Sequence, residues 1–138
     1  NVTYNEIFTV QPFGNSLVTM TLTGAQIDAV LEQQFNNPAP GQTRILQVSN
    51  GFTYNWSASA PYGDKVSDLM LNGVPIDPSA SYRVTVNNFL ADGGDNFTAL
   101  RDGTDRLGGA VDLDALEAYF AAFSPVAPGP QNRIIQVP

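Results

Sequence analysis

The 138-residue chain carries a net charge of −7, is 43% hydrophobic and 14% charged, and has neither histidine nor cysteine. That balance fits one compact domain with its own core, not a disordered tail. It excludes a thiol nucleophile, an imidazole base and a Cys/His zinc site. Its single lysine, Lys65, heads no basic cluster, which argues against a nucleic-acid polymer, whose phosphates need several cations on one face.

No apolar run approaches the roughly 20 residues that span a bilayer. The chain opens without an initiator Met or a signal peptide, so it is expected to start inside a longer protein. In chain order, Thr3-Tyr4-Asn5-Glu6 has capping-box spacing and predicts a short helix ending before Pro12, with Ile7, Phe8 and Val10 toward the core. Val18, Met20 and Leu22 alternate with threonines, which predicts a strand over 16–22. A second capping box, Thr23-Gly24-Ala25-Gln26, opens a helix whose core face is Ile27, Val30, Leu31 and Phe35. Residues 36–43, with Pro38, Pro40 and Gly41, read as a loop.

Arg44 to Val48 reads as a short apolar strand, and Phe52, Tyr54 and Trp56 alternate with polar residues in another. A further strand over 65–71 meets Asn72-Gly73, a tight-turn signal that predicts a hairpin with 74–76. Beyond Phe97, the charges Arg101, Asp102, Asp105 and Arg106 among glycines read as a solvated loop. Asp112 is placed to cap a last helix with Leu113, Leu116, Phe120 and Phe123 on one face and Glu117 on the other; Ile134, Ile135 and Val137 read as a terminal strand or tail. Hairpin signals with segregated helices predict a single α+β domain, a mixed sheet with a few packed helices.

One stretch has a chemistry of its own. The alternating run at Arg83-Val84-Thr85-Val86 stops at Asn87-Asn88-Phe89-Leu90-Ala91, and Asp92-Gly93-Gly94-Asp95 follows. Paired glycines let a main chain approach a small molecule, Phe89 offers a π face, and Asp95 is an acceptor-only side chain. The plainer alternative is a strand-to-loop turn with Phe89 in the core. Calcium binding by Asp92 and Asp95 is disfavoured, because the spacing lacks the alternating oxygen ligands and distal Glu of an EF-hand loop.

Residues 88–97, Asn-Phe-Leu-Ala-Asp-Gly-Gly-Asp-Asn-Phe, resemble the Asn-Phe-x-Ala-x-Gly-Gly-Asp-Gly-Phe/Tyr motif of the C-terminal domain of 5′-nucleotidases, a family that includes UDP-sugar hydrolases and 2′,3′-cyclic phosphodiesterases. Val10-Gln11-Pro12-Phe13-Gly14-Asn15, Leu22-Thr23-Gly24-Ala25-Gln26-Ile27, Leu46-Gln47-Val48-Ser49 and Gly73-Val74-Pro75-Ile76-Asp77-Pro78 fall in that family's order.

The resemblance implies that residues 1–138 are the nucleoside-binding domain of a metal-dependent 5′-nucleotidase. It implies a chain truncated on its N-terminal side, where family members carry an Asn-Gly-Gly-Gly-Ile-Arg stretch. It implies a partner metallophosphoesterase domain that holds the divalent metal ions, none being expected in this chain, and an extracellular, periplasmic or cell-wall location. Phe89 then matches the ring that stacks on the base and Asp95 the acid that binds the ribose hydroxyls. Gly93 and Gly94 shape the loop, and Asn88 is an amide partner or a cap. Ile45 stands where the family has a second aromatic, so it pads the base, or Phe52 or Tyr54 substitutes; Gln47 reads the base edge or is an exposed strand residue. The alternative function is a non-catalytic surface or interaction module that has lost tight nucleotide binding.

Overall fold

The computed structural model describes residues 2–138. Its ordered elements are α1 (Tyr4–Val10), β1 (Ser16–Thr23), α2 (Gly24–Gln33), β2 (Phe52–Ser57), β3 (Val66–Leu71), β4 (Val74–Pro75), β5 (Ser81–Asn87), α3 (Asn88–Ala91), β6 (Thr104–Val111), α4 (Asp112–Phe123) and β7 (Ile134–Val137). Short 3-10 turns cover Gln34–Asn36, Gly94–Asn96 and Thr98–Asp102. The strands form two sheets, β5-β1-β6 and β4-β3-β2-β7. All pairs are antiparallel except β2 with β7, which run parallel. This is the expected α+β arrangement.

Both capping boxes form. Thr3 and Glu6 exchange side chain and backbone bonds at the start of α1, and Thr23 and Gln26 do so at α2. The second box makes the chain leave β1 and enter α2 without a linker, so the helix lies across the sheet that produced it. Its two faces then serve two clusters: Val30 joins Val18, Met20, Leu22, Ala91, Phe97 and Leu100, and Leu31 joins Phe35, Tyr54 and Val66. α2 is therefore the wedge between the sheets.

Four local expectations are corrected. Arg44–Val48 forms no strand. Two of its backbone N–H groups go instead to one residue: Arg44 N–H donates to the Gln34 carbonyl (2.8 Å) and Leu46 N–H to Gln34 Oε1 (2.7 Å), while the Val48 carbonyl accepts from Arg133 Nη1 (2.9 Å). The supposed loop beyond Phe97 is a 3-10 turn followed by β6. β6 escapes the alternation rule because it lies wholly exposed and is held by backbone pairing to β1, with two register shifts and no apolar face. Asp112 is the first residue of α4, not its cap; Val111 precedes it, and the Asp112 carboxylate takes only the Leu113 N–H. Finally, Phe8, Val10 and Phe123 are exposed while Ile7 and Leu113 are the buried members of their helices. A short amphipathic helix has room for one such anchor against a core of this size.

Candidate functional site

The site residues gather where β5 ends. The Gly24 N–H to Ala80 carbonyl bond starts the β1–β5 ladder, which runs in unbroken register to Leu17 opposite Asn87. There the chain turns into α3. Asn87 is the cap, its Oδ1 accepting the Leu90 N–H at 2.8 Å. Asn88, for which capping was one option, instead accepts the Ser16 N–H at 3.0 Å and ties the start of β1 to the glycine-rich loop.

Two buried side chains anchor that loop: Ala91 at its beginning and Phe97 at its end. Between them Gly93 is buried too, whereas Asp92 and Asn96 are exposed and Gly94 and Asp95 partly so. Gly93 has φ +87°, a conformation open to glycine, and a side chain there would run into the Arg101 guanidinium. Gly94 is needed for a different reason. A Cβ on it would stand 2.6 Å from Cε1 and Cζ of the Phe89 ring and from the Phe89 carbonyl. The ring is thus seated on a bare α-carbon and stays 49% exposed, which removes the alternative of a core phenylalanine.

Asp95 and Asn96 both adopt left-handed backbone angles, φ +52° and +62°. Asp and Asn are the residues besides glycine that tolerate this region, which accounts for Asn96 where the resembling motif carries glycine. The turn aims the Asp95 carboxylate at Arg44, whose Nη1 lies 2.6 Å from Oδ2, both side chains being partly exposed. The opposite wall of the site is the segment after α2: Asn37 donates to the Asp95 carbonyl and Asn96 to the Pro38 carbonyl. Gln33 donates to Thr98 Oγ1 at 2.8 Å and accepts the Ala99 N–H at 3.0 Å.

The arginines read as solvated are braces for this loop. Arg101 Nε donates to the Asp92 carbonyl and Arg106 Nη2 to the Asp92 carboxylate, each at 2.9 Å.

The structure brings together Asn88, Phe89, Gly93, Gly94 and Asp95, and adds Arg44. Ile45 is half-buried against the Leu31–Phe35–Tyr54–Val66 cluster, together with Phe52, and Tyr54 is itself buried within it. Gln47 lies exposed along the rim of an apolar cavity of about 430 Å³ between α2, β5 and the end of β3. That cavity does not include Phe89 or Asp95.

One residue was read only as part of a matching stretch. Phe13, on the turn that leads into Ser16, is 82% exposed. Since Ser16 is bonded to Asn88, its ring stands at the same end of the sheet as Phe89. The signal was available in Pro12-Phe13-Gly14, an aromatic fixed between two turn residues, where a core position is not expected.

Among the described residues, no group of three or more Asp, Glu, His or Cys side chains is placed to hold a metal ion, and no helix is long and apolar enough to cross a membrane. Chemically the arrangement offers a π face, a carboxylate with one oxygen engaged by an arginine, and close backbone: a grip for a flat ring bearing hydroxyls.

Residues 1–102 match the family model described as the 5′-nucleotidase, C-terminal domain. A 5′-nucleotidase-related protein of Glossina morsitans morsitans is 36% identical over 97% of this chain and 26% of its own length. Protein UshA of Escherichia coli (strain K12) is 31% identical over 91% of this chain and 22% of its own. The crystal structure of a 5′-nucleotidase precursor from Thermus thermophilus superposes with a TM-score of 0.88 at 37% identity, covering 99% of this chain and 28% of that one. The chain therefore spans about a quarter of the length of each of these three relatives.

Proposed function

We infer from the 5′-nucleotidase C-terminal domain family, to which this chain belongs, that residues 1–138 are the nucleoside-binding part of a longer, exported, metal-dependent nucleotide phosphohydrolase. The observation that carries this reading is the half-exposed Phe89 ring seated on Gly94, one loop turn from an Asp95 carboxylate already oriented by Arg44.

In this reading the base stacks on Phe89, a contact that tolerates any base and is worth about 1–3 kcal/mol. Phe13 supplies an apolar face from the other side. Asp95 accepts the ribose hydroxyls, and Arg44 keeps its carboxylate in place as they bind. Gly93 and Gly94 let the main chain come close, and Asn88 holds the loop to β1. Ile45, packed against the Leu31–Phe35–Tyr54–Val66 cluster, and Gln47, on the rim of the separate cavity, shape the loop that carries Arg44 and do not touch the base in this reading.

These residues bind and orient; they move no proton. The divalent metals belong to the partner metallophosphoesterase domain, where they would activate water and polarise the phosphoryl group. What this chain contributes is position, holding the nucleoside so that its phosphate reaches that centre.

The test is a titration with adenosine read by backbone amide shifts, paired with kinetics of the longer protein. Shifts centred on residues 88–96 and around Phe13 are expected. Base stacking acts on ground and transition states alike, so Phe89→Ala should raise KM about 5- to 150-fold at unchanged kcat. Unaltered kinetics in both Phe89→Ala and Asp95→Ala would overturn the assignment and leave a non-catalytic interaction module.

A further inference from the structure

The 430 Å³ cavity touches an incomplete sheet. β5 is the end strand of β5-β1-β6, so one of its edges has no partner among the described residues. Which groups face that edge follows from the ladder. The Gly24 N–H to Ala80 carbonyl bond marks a hydrogen-bonded pair. Bonded pairs recur every second residue, so Tyr82, Val84 and Val86 point their backbone groups at β1, and Arg83 and Thr85 point theirs away.

The side chains of Arg83 and Thr85 are accounted for on the far face of the sheet, where they bond Thr21 Oγ1 and Thr19 Oγ1. Yet both residues line the cavity. They reach it through their main-chain edge. The cavity wall thus combines apolar side chains, among them Ile27, Leu46, Val48, Leu71 and Ile76, with two N–H and two C=O groups that have no partner among the described residues.

An apolar small molecule would fill the space and leave those backbone groups without partners, at about 1–3 kcal/mol each. A strand would satisfy both demands. Its backbone pairs with Arg83 and Thr85, and its alternate side chains enter the cavity. The other edge of the sheet is not comparable: β6 pairs with β1 through two register shifts and carries Gly108-Gly109, a blunted edge, whereas β5 is regular over seven pairs. All the lining residues fall within the stretch that matches the family model, and the Glossina and Thermus relatives run to about four times this length.

We propose that the free edge of β5 and the cavity beside it receive an extended, alternately apolar segment of the same polypeptide from outside these 138 residues, adding a fourth strand to the three-stranded sheet. This rests on the proposed origin of the chain in a longer protein. It does not depend on what the Phe89 loop binds.

Hydrogen exchange of the Arg83 and Thr85 amides, compared between the full-length protein and residues 1–138, tests it. In the full-length protein both amides should exchange slower by about tenfold or more, while Tyr82, Val84 and Val86 change little. Thr85→Pro removes the outward N–H and leaves the β1 ladder intact, since proline is tolerated where an edge N–H faces away from the sheet. It should lower the melting temperature of the full-length protein clearly more than that of residues 1–138. Equal exchange at Arg83 and Thr85 in the two proteins, or an equal effect of Thr85→Pro, would overturn the proposal. Either result leaves the nucleoside assignment standing, because that is read separately by the adenosine titration at Phe89.

Discussion

Gln34 is the residue on which the second wall of the site hangs, and replacing it should be costly. Its side chain is fully buried. Nε2 donates to the Leu31 carbonyl (2.9 Å) and to Tyr54 Oη (3.0 Å), and Oε1 accepts the Leu46 N–H (2.7 Å) and, at 3.2 Å, the Tyr54 hydroxyl. Gln34→Leu keeps the volume but strands the Leu46 N–H and the Tyr54 hydroxyl in an apolar surrounding. At about 1–3 kcal/mol for each unsatisfied group the loss is about 2–6 kcal/mol. With an unfolding entropy of roughly 290 cal/mol/K for a chain of this length, the melting temperature should fall by about 7–20 °C. Scanning calorimetry measures it. The decisive arm is a double-mutant cycle, because Tyr54→Phe removes one of the stranded groups. Gln34→Leu with Tyr54→Phe should cost about 1–2 kcal/mol less than the sum of the single changes. Strict additivity, or a loss below about 1 kcal/mol for Gln34→Leu alone, would refute the reasoning that Gln34 holds the Arg44–Leu46 segment.

Gly94→Ala sets a methyl against the Phe89 ring and carbonyl, so it should destabilise by about 1–3 kcal/mol and weaken adenosine binding together, as chemical denaturation and titration would register. Arg44→Gln breaks an exposed ion pair and should alter stability by less than about 1 kcal/mol, yet narrow the preference for adenosine over 2′,3′-dideoxyadenosine; an unchanged preference would remove Arg44 from the site. Burial first, then the charges of Glu32 and Asp64, hold the Asp28 carboxyl above its usual range. The folded state thus keeps a proton that the unfolded chain has released, and stability falls as pH rises from the ordinary Asp pKa through the raised one. Asp28→Asn should therefore stabilise at neutral pH and lose that advantage below about pH 4, which melting curves across the range would detect.

Much of the fold was legible because it is written in short-range chemistry. Two Thr-x-x-Glu/Gln boxes, the Val18-Met20-Leu22 alternation and the Asn72-Gly73 turn each satisfy their own backbone groups or face one core, and all formed where expected. The misreadings share a cause. Arg44–Val48 has a strand's composition, but Gln34, well upstream in the chain, takes its N–H groups before a neighbouring strand can. β6 lacks a strand's composition and becomes one because β1 presents an edge that needs pairing. Neither choice is encoded in the segment itself.

The site divides in the same way. The sequence by itself determined the loop: Gly93, Asp95 and Asn96 are the residue types that a turn through left-handed angles demands, and Phe89 is its aromatic. Only the tertiary structure decided that Phe89 rests on Gly94 with half its surface open, that Arg44 comes 51 residues along the chain to meet Asp95, and that Phe13 stands free at the same end of the sheet. Exposure and ion pairing depend on which segments the core draws together. Here α2 does the drawing, by burying Val30 toward one sheet and Leu31 toward the other.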